Sequence, residues 1–245
     1  MRQFQKEILK SARNETFPEI PGKLRWKARF LGKQIITEYL WHYYERESTD
    51  RIPFYLPYIY QKECFDFLRR YEKIPKKQIS MVLIDDDDFR TDYFLKNYLE
   101  TFNYVTIVTG RKEYFESLQE RAFQELGLLI DVVYPWEEKQ LQGNLVWDFS
   151  YKLQKADCYP EGSICFLPHK KEWKIRELRA HNPKITTMTL SGVKVGEEML
   201  GPSFAESILV PSKFPFRESC CQELRNWCIQ QRWQLKMKVQ KPEKP

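Results

Sequence analysis

Glycine is scarce in this chain. Nine occur in 245 residues, and none falls between Met81 and Phe89. That argues against a glycine-rich loop, whose bare backbone amides must approach a phosphate closely. Histidine is scarcer still: His42, His169 and His181 stand far apart. The cysteines at 64, 158, 165, 220, 221 and 228 form no Cys-x-x-Cys pair, so a zinc site has no spacing to build on. No Gly-x-Ser-x-Gly occurs, which removes the strained turn of a nucleophilic serine. No run of about 18 apolar residues exists to cross a bilayer. The first residues, Met1-Arg2-Gln3-Phe4-Gln5-Lys6-Glu7, lack the apolar stretch of a secretion signal. The expectation is a cytoplasmic protein with reduced, mostly buried thiols.

Aromatic residues are abundant, at 15%, with seven tryptophans. A formal net charge of +6 permits an anionic partner without requiring one.

The chain is organised around Met81-Val82-Leu83-Ile84-Asp85-Asp86-Asp87-Asp88-Phe89. A short apolar run ends in four carboxylates, and a helical pattern begins directly behind them. This reads as the first strand of an open α/β sheet, its carboxyl-end loop and the following helix. Ligands of such sheets bind at the carboxyl ends of the strands.

Strand and helix patterns then alternate. Strands are expected at 79–84, 104–108, 128–133, 144–149, 163–167 and 185–190. Helices are expected at 89–102, 112–126 and 170–181, with Gly127 stopping the second and Asn182-Pro183 the third. Continuous apolar strands separated by helices indicate a buried, mostly parallel sheet. Right-handed crossovers make it a Rossmann-like three-layer α/β sandwich. The expected core is 78–192, after an aromatic and basic helical region at 1–77 and before a loop, C-terminal helix and disordered tail at 193–245. The C-terminal helix is expected at 216–236.

In the N-terminal region, 23–47 has helical spacing, with Trp26, Phe30, Ile36, Leu40 and Tyr43 interleaved with Lys23, Arg25, Lys27, Arg29 and Lys33. Such a face suits nucleic acid, or packs on a core with its cations solvated. Pro53 and Pro57 favour extended backbone across 51–60. A further helix is expected at 61–73.

The aspartates admit several chemistries. The plainest is capping: Asp is favoured before a helix, and acids in the first turn complement its dipole. Three families share part of the pattern. The strand–helix–strand order resembles nicotinamide-dinucleotide domains, and Thr109-Gly110-Arg111 ends the second strand where an arginine would meet a 2′-phosphate. Asp87 and Asp88, followed by Asp131 and Pro135, resemble response-regulator receiver domains, which implies a magnesium-dependent phospho-accepting Asp131. Asp85-x-Asp87 with Val108-Thr109-Gly110-Arg111 resembles haloacid-dehalogenase-like phosphatases, which implies a nucleophilic Asp85, an acidic Asp87 and a phosphate-binding Thr109.

Each catalytic pattern lacks a part. The dinucleotide loop has no glycine. The receiver pattern lacks its Gly-rich loop after Asp131. The phosphatase pattern lacks a later Asp pair. The leading expectation is therefore a non-catalytic module binding a small molecule or a protein, with Thr109, Gly110, Arg111 and His169 as its contacts. The alternative is Mg²⁺-dependent phosphoryl chemistry with the metal on Asp85, Asp87 and Asp131. The third is nucleic-acid binding through the basic N-terminal helix.

Overall fold

A computed structural model describes residues 55–71, 73–75, 78–86, 89–135, 137, 141–150, 159–168, 172–196, 198–202, 205–206 and 218–242. The chain divides into two compact units. One comprises Tyr60–Leu190 with Met237–Pro245; the other comprises Met1–Ile59 with Ser191–Lys236.

The elements in chain order are α1 (Leu56–Ile59), α2 (Gln61–Tyr71), β1 (Ser80–Ile84), α3 (Phe89–Tyr98), β2 (Tyr104–Val108), α4 (Lys112–Leu126), β3 (Leu129–Val133), β4 (Leu145–Asp148), β5 (Ile164–Leu167), α5 (Glu172–His181), β6 (Thr186–Val195), β7 (Glu198–Leu200), α6 (Glu218–Gln230) and β8 (Trp233–Gln240). The sheet has eight strands in the order β3-β2-β1-β4-β5-β6-β7, with β8 also pairing β6. All pairs from β3 to β6 are parallel, and β6–β7 is antiparallel. The expected Rossmann-like α/β sandwich is the observed architecture.

The strands form where the sequence is continuously apolar, because helices cover both sheet faces. Side chains alternate between faces along each strand. Val82, Ile84, Val146 and Cys165 share one face with Ile175 and Leu178 of α5. Trp147 and Phe166 lie on the other, where the Phe94 ring of α3 packs tilted against Trp147, centroids 4.4 Å apart, and edge-on to Phe65 of α2 at 6.1 Å. Gly127 ends α4 in the left-handed region at φ 64°, its N–H donating 3.0 Å to Phe123 O, as expected of a glycine past a helix end.

Two expectations need correction. The C-terminal helix stops at Gln230, and Trp233–Gln240 is a strand. Trp233, Leu235, Met237 and Val239 recur every second residue, a strand period, and Arg232 at φ 59° turns the chain between the elements. Leu56–Ile59 is a helical turn rather than extended. Pro57 stands in its first turn, where a missing N–H costs nothing, and the Leu56 N–H donates 2.9 Å to Glu206 Oε2. Residues 23–47 lie outside the described residues. Among the described residues no helix is long and apolar enough to cross a membrane.

Candidate functional site

In sequence order the strands run outward from β1 through β2 to β3, then return to β4 on the other side of β1. The reversal between β1 and β4 is the kind of switch point beside which open α/β sheets bind ligands, at the carboxyl ends of the strands. Backbone bonds carry the ladder one residue past the strands: Asp85 N–H to Val108 O, Thr109 N–H to Val133 O and Phe149 N–H to Ile84 O, each 2.9 Å. The residues just beyond β1, β2 and β4 are thereby fixed by the sheet itself.

Asp85 follows Ile84 and takes the α3 side of the sheet. Its side chain is fully buried. Four hydrogen bonds converge on the carboxylate. Thr91 Oγ1 donates to Oδ1 at 2.5 Å, and Thr109 Oγ1 donates to Oδ2 at 2.7 Å. Arg111 donates through Nε to Oδ2 and through Nη2 to Oδ1, both at 3.1 Å. Such a two-point pair is the strong form of an arginine–carboxylate bond. Arg111 Nη2 also donates to Asp92 Oδ2 at 3.3 Å, and the guanidinium lies 5.0 Å from the Tyr114 ring and 5.2 Å from the Phe115 ring. Burial alone would lower the Arg111 pKa, but bonds to Asp85 and Asp92 and their charges outweigh it and hold the cation more firmly. The Tyr114 hydroxyl, bonded to Asp92, is raised above its ordinary value. Asp86 binds Arg90 Nη2 at 2.7 Å, one helical turn on.

A second buried cluster lies at the end of β4, on the α5 side. Lys174 Nζ meets Asp148 Oδ2 at 2.7 Å and donates to Ser150 O at 2.7 Å and Ser150 Oγ at 3.1 Å. Asp148 Oδ1 accepts from Ser150 N–H at 2.9 Å and Ser150 Oγ at 2.7 Å, while Tyr159 OH donates to Oδ2 at 2.8 Å. Lys174 is 1% exposed, and its ammonium has three acceptors for its three protons. Nearby burial, and then the charge of Asp148, push the Cys165 thiol well up, which keeps it neutral.

The structure therefore brings Asp85 together with Thr109 and Arg111, and Gly110 forms the turn between the last two. It does not bring Asp131 to Asp85. Asp131 sits inside β3, opposite Thr106, and accepts from Tyr104 OH at 3.2 Å. β3 lies two strands from β1, about 10 Å across the sheet, and Asp131 falls well short of the strand ends. Two carboxylates on one Mg²⁺ must each lie about 2 Å from it. Asp87 and His169 lie outside the described residues.

Sequence reading missed Thr91, Asp92 and the whole Lys174 cluster. Lys174 left one signal: it stands beside Ile175 and four residues before Leu178, so a helical wheel puts a lysine on the apolar stripe of α5. Compared with known proteins, the chain matches no protein-family model and no curated sequence.

Proposed function

We propose that the α/β unit is a non-catalytic module that binds a small molecule at the carboxyl edge of its sheet. The strand reversal between β1 and β4 supports the location, since open α/β sheets bind ligands there. The state of Asp85 supports the absence of chemistry. As nucleophile or metal ligand, this carboxylate would need a lone pair directed at the reacting group. Thr91, Thr109 and Arg111 already hold it with four bonds. That single observation carries the reading: the best-placed acid of the edge is a tie between β1, α3 and the turn after β2. Asp86 is likewise engaged by Arg90. The ligand then meets Gly110, the outer side of Arg111 and the residues after β4.

The test is a thermal-shift panel of nucleosides, nucleotides, dinucleotides and sugar phosphates, with and without Mg²⁺, followed by turnover assays with acetyl phosphate and p-nitrophenyl phosphate. Saturable stabilisation by one compound class without turnover is the expected result. Mg²⁺-dependent release of phosphate that disappears in Asp85→Asn would overturn the reading and restore phosphoryl transfer.

A further inference from the structure

The edge opposite the aspartate loop carries the other sign of charge, built from three separate parts of the chain. The last turn of α2 supplies Arg69 and Arg70, and Lys73 follows it. The end of α5 supplies Arg179, and Lys241 follows β8. These parts meet: Lys241 Nζ lies 5.7 Å from the Tyr71 ring centroid, and Arg179 Nη2 donates 2.8 Å to the Lys241 carbonyl. Cations at the two helix ends complement the helix dipoles. Lys241 belongs to neither helix, and its presence there needs another account.

Three properties single this cluster out. First, three of its cations have no carboxylate beside them among the described residues. Arg69 has Asp66 at 3.9 Å, and Arg70 Nε donates to the Asp66 carbonyl. Among the described residues no carboxylate lies within ion-pair distance of Arg70, Lys73 or Lys241, and all three are exposed. Second, Lys73 sits at φ 56°, left-handed backbone that disfavours a lysine by about 1–2 kcal/mol. The position closes α2 through Lys73 N–H to Arg70 O at 3.2 Å and Ile74 N–H to Arg69 O at 3.1 Å, a turn where glycine is the usual occupant. Third, among the described residues none of the exposed large hydrophobic side chains, such as Phe123, Leu129 and Trp173, belongs to the cluster. Protein interfaces centre on apolar anchors, whereas nucleic-acid interfaces are polar and strongly positive.

We propose that Arg70, Lys73, Lys241 and Arg179 form a contact surface for the phosphate backbone of a nucleic acid, apart from the ligand edge. It stands independently of the small-molecule reading.

The experiment measures fluorescence anisotropy of labelled 20-mer single- and double-stranded DNA and RNA with the full chain, from low to moderate salt, beside a polyglutamate of equal length. Wild type is expected to bind with affinity falling steeply in salt, and not to bind polyglutamate. Arg70→Gln/Lys73→Gly/Lys241→Gln is expected to weaken binding by about tenfold or more. It should also flatten the log–log salt slope by about 2–3, near 0.7–0.9 for each cation removed. Lys73→Gly alone should flatten it by about one while melting at or above the wild-type temperature, which separates lost contact from lost fold. Unchanged affinity and slope in the triple variant would overturn the proposal. So would loss only on replacing Lys23, Arg25, Lys27, Arg29 and Lys33, or equal binding of polyglutamate.

Discussion

Asp85 and Arg111, 26 positions apart, meet in two parallel hydrogen bonds of 3.1 Å, with the carboxylate fully buried and the guanidinium a quarter exposed. The pair joins the end of β1 to the turn after β2 without passing through the ladder. Removing one partner strands the other, which is the costly way to break a buried ion pair. Arg111→Ala is expected to lose about 3 kcal/mol in urea unfolding, Thr91→Val about 1, and the Asp85–Arg111 double-mutant cycle should show coupling above about 1 kcal/mol. A cycle that sums to zero would make the pair ornamental.

The Asp148–Lys174 pair makes a sharper case, since both side chains are buried. Lys174→Met or Asp148→Asn alone should destabilise by about 3–5 kcal/mol, whereas Asp148→Leu/Lys174→Met should recover a large part of that loss. Chemical denaturation with equal m-values across the set is the measurement.

Glu206 sits in the other unit and is raised from 4.5 to about 8, chiefly by burial, with the Leu56 and Tyr55 amides opposing. The folded state then holds a proton that the unfolded chain releases above about 4.5. Stability supplied by this group is complete below the unfolded value and declines as pH rises toward 8. Glu206→Gln should flatten the fall in melting temperature between pH 5 and 8, and should match or exceed wild type at pH 8.5. An unchanged slope would show that Glu206 does not set it.

Gly192 has φ 152°, and a Cβ there would run into the Leu200 carbonyl oxygen across the β6–β7 pair. Gly192→Ala is expected to cost about 2 kcal/mol or more and to raise amide exchange at Val193–Val195.

The sheet was legible because its signal is local. Val82–Ile84, Val105–Val108 and Ile164–Leu167 are apolar runs that need no partner to be recognised. β7 and β8 were not, since Glu198–Leu200 is too short to show a period and Leu235 fits a helical face as readily as a strand. The strand order was beyond reach: nothing in Leu129–Val133 says that β3 lies beyond β2 rather than beside β1, and that order decides whether Asp131 can join Asp85. Thr109 and Arg111 were legible as strand-end residues. Asp85 was legible beside them but its role was not, because a buried carboxylate and a metal-binding one have the same letter in a sequence.

The two polar clusters lie on opposite faces of one sheet edge, one gripped from α3 and the turn after β2, the other from α5. The ends of β1, β2 and β4 are thus clamped from above and below before anything docks. A ligand of the proposed kind would meet backbone that lost its conformational freedom when the chain folded. Its association would draw on that earlier ordering, leaving the entropy cost mainly on the molecule itself.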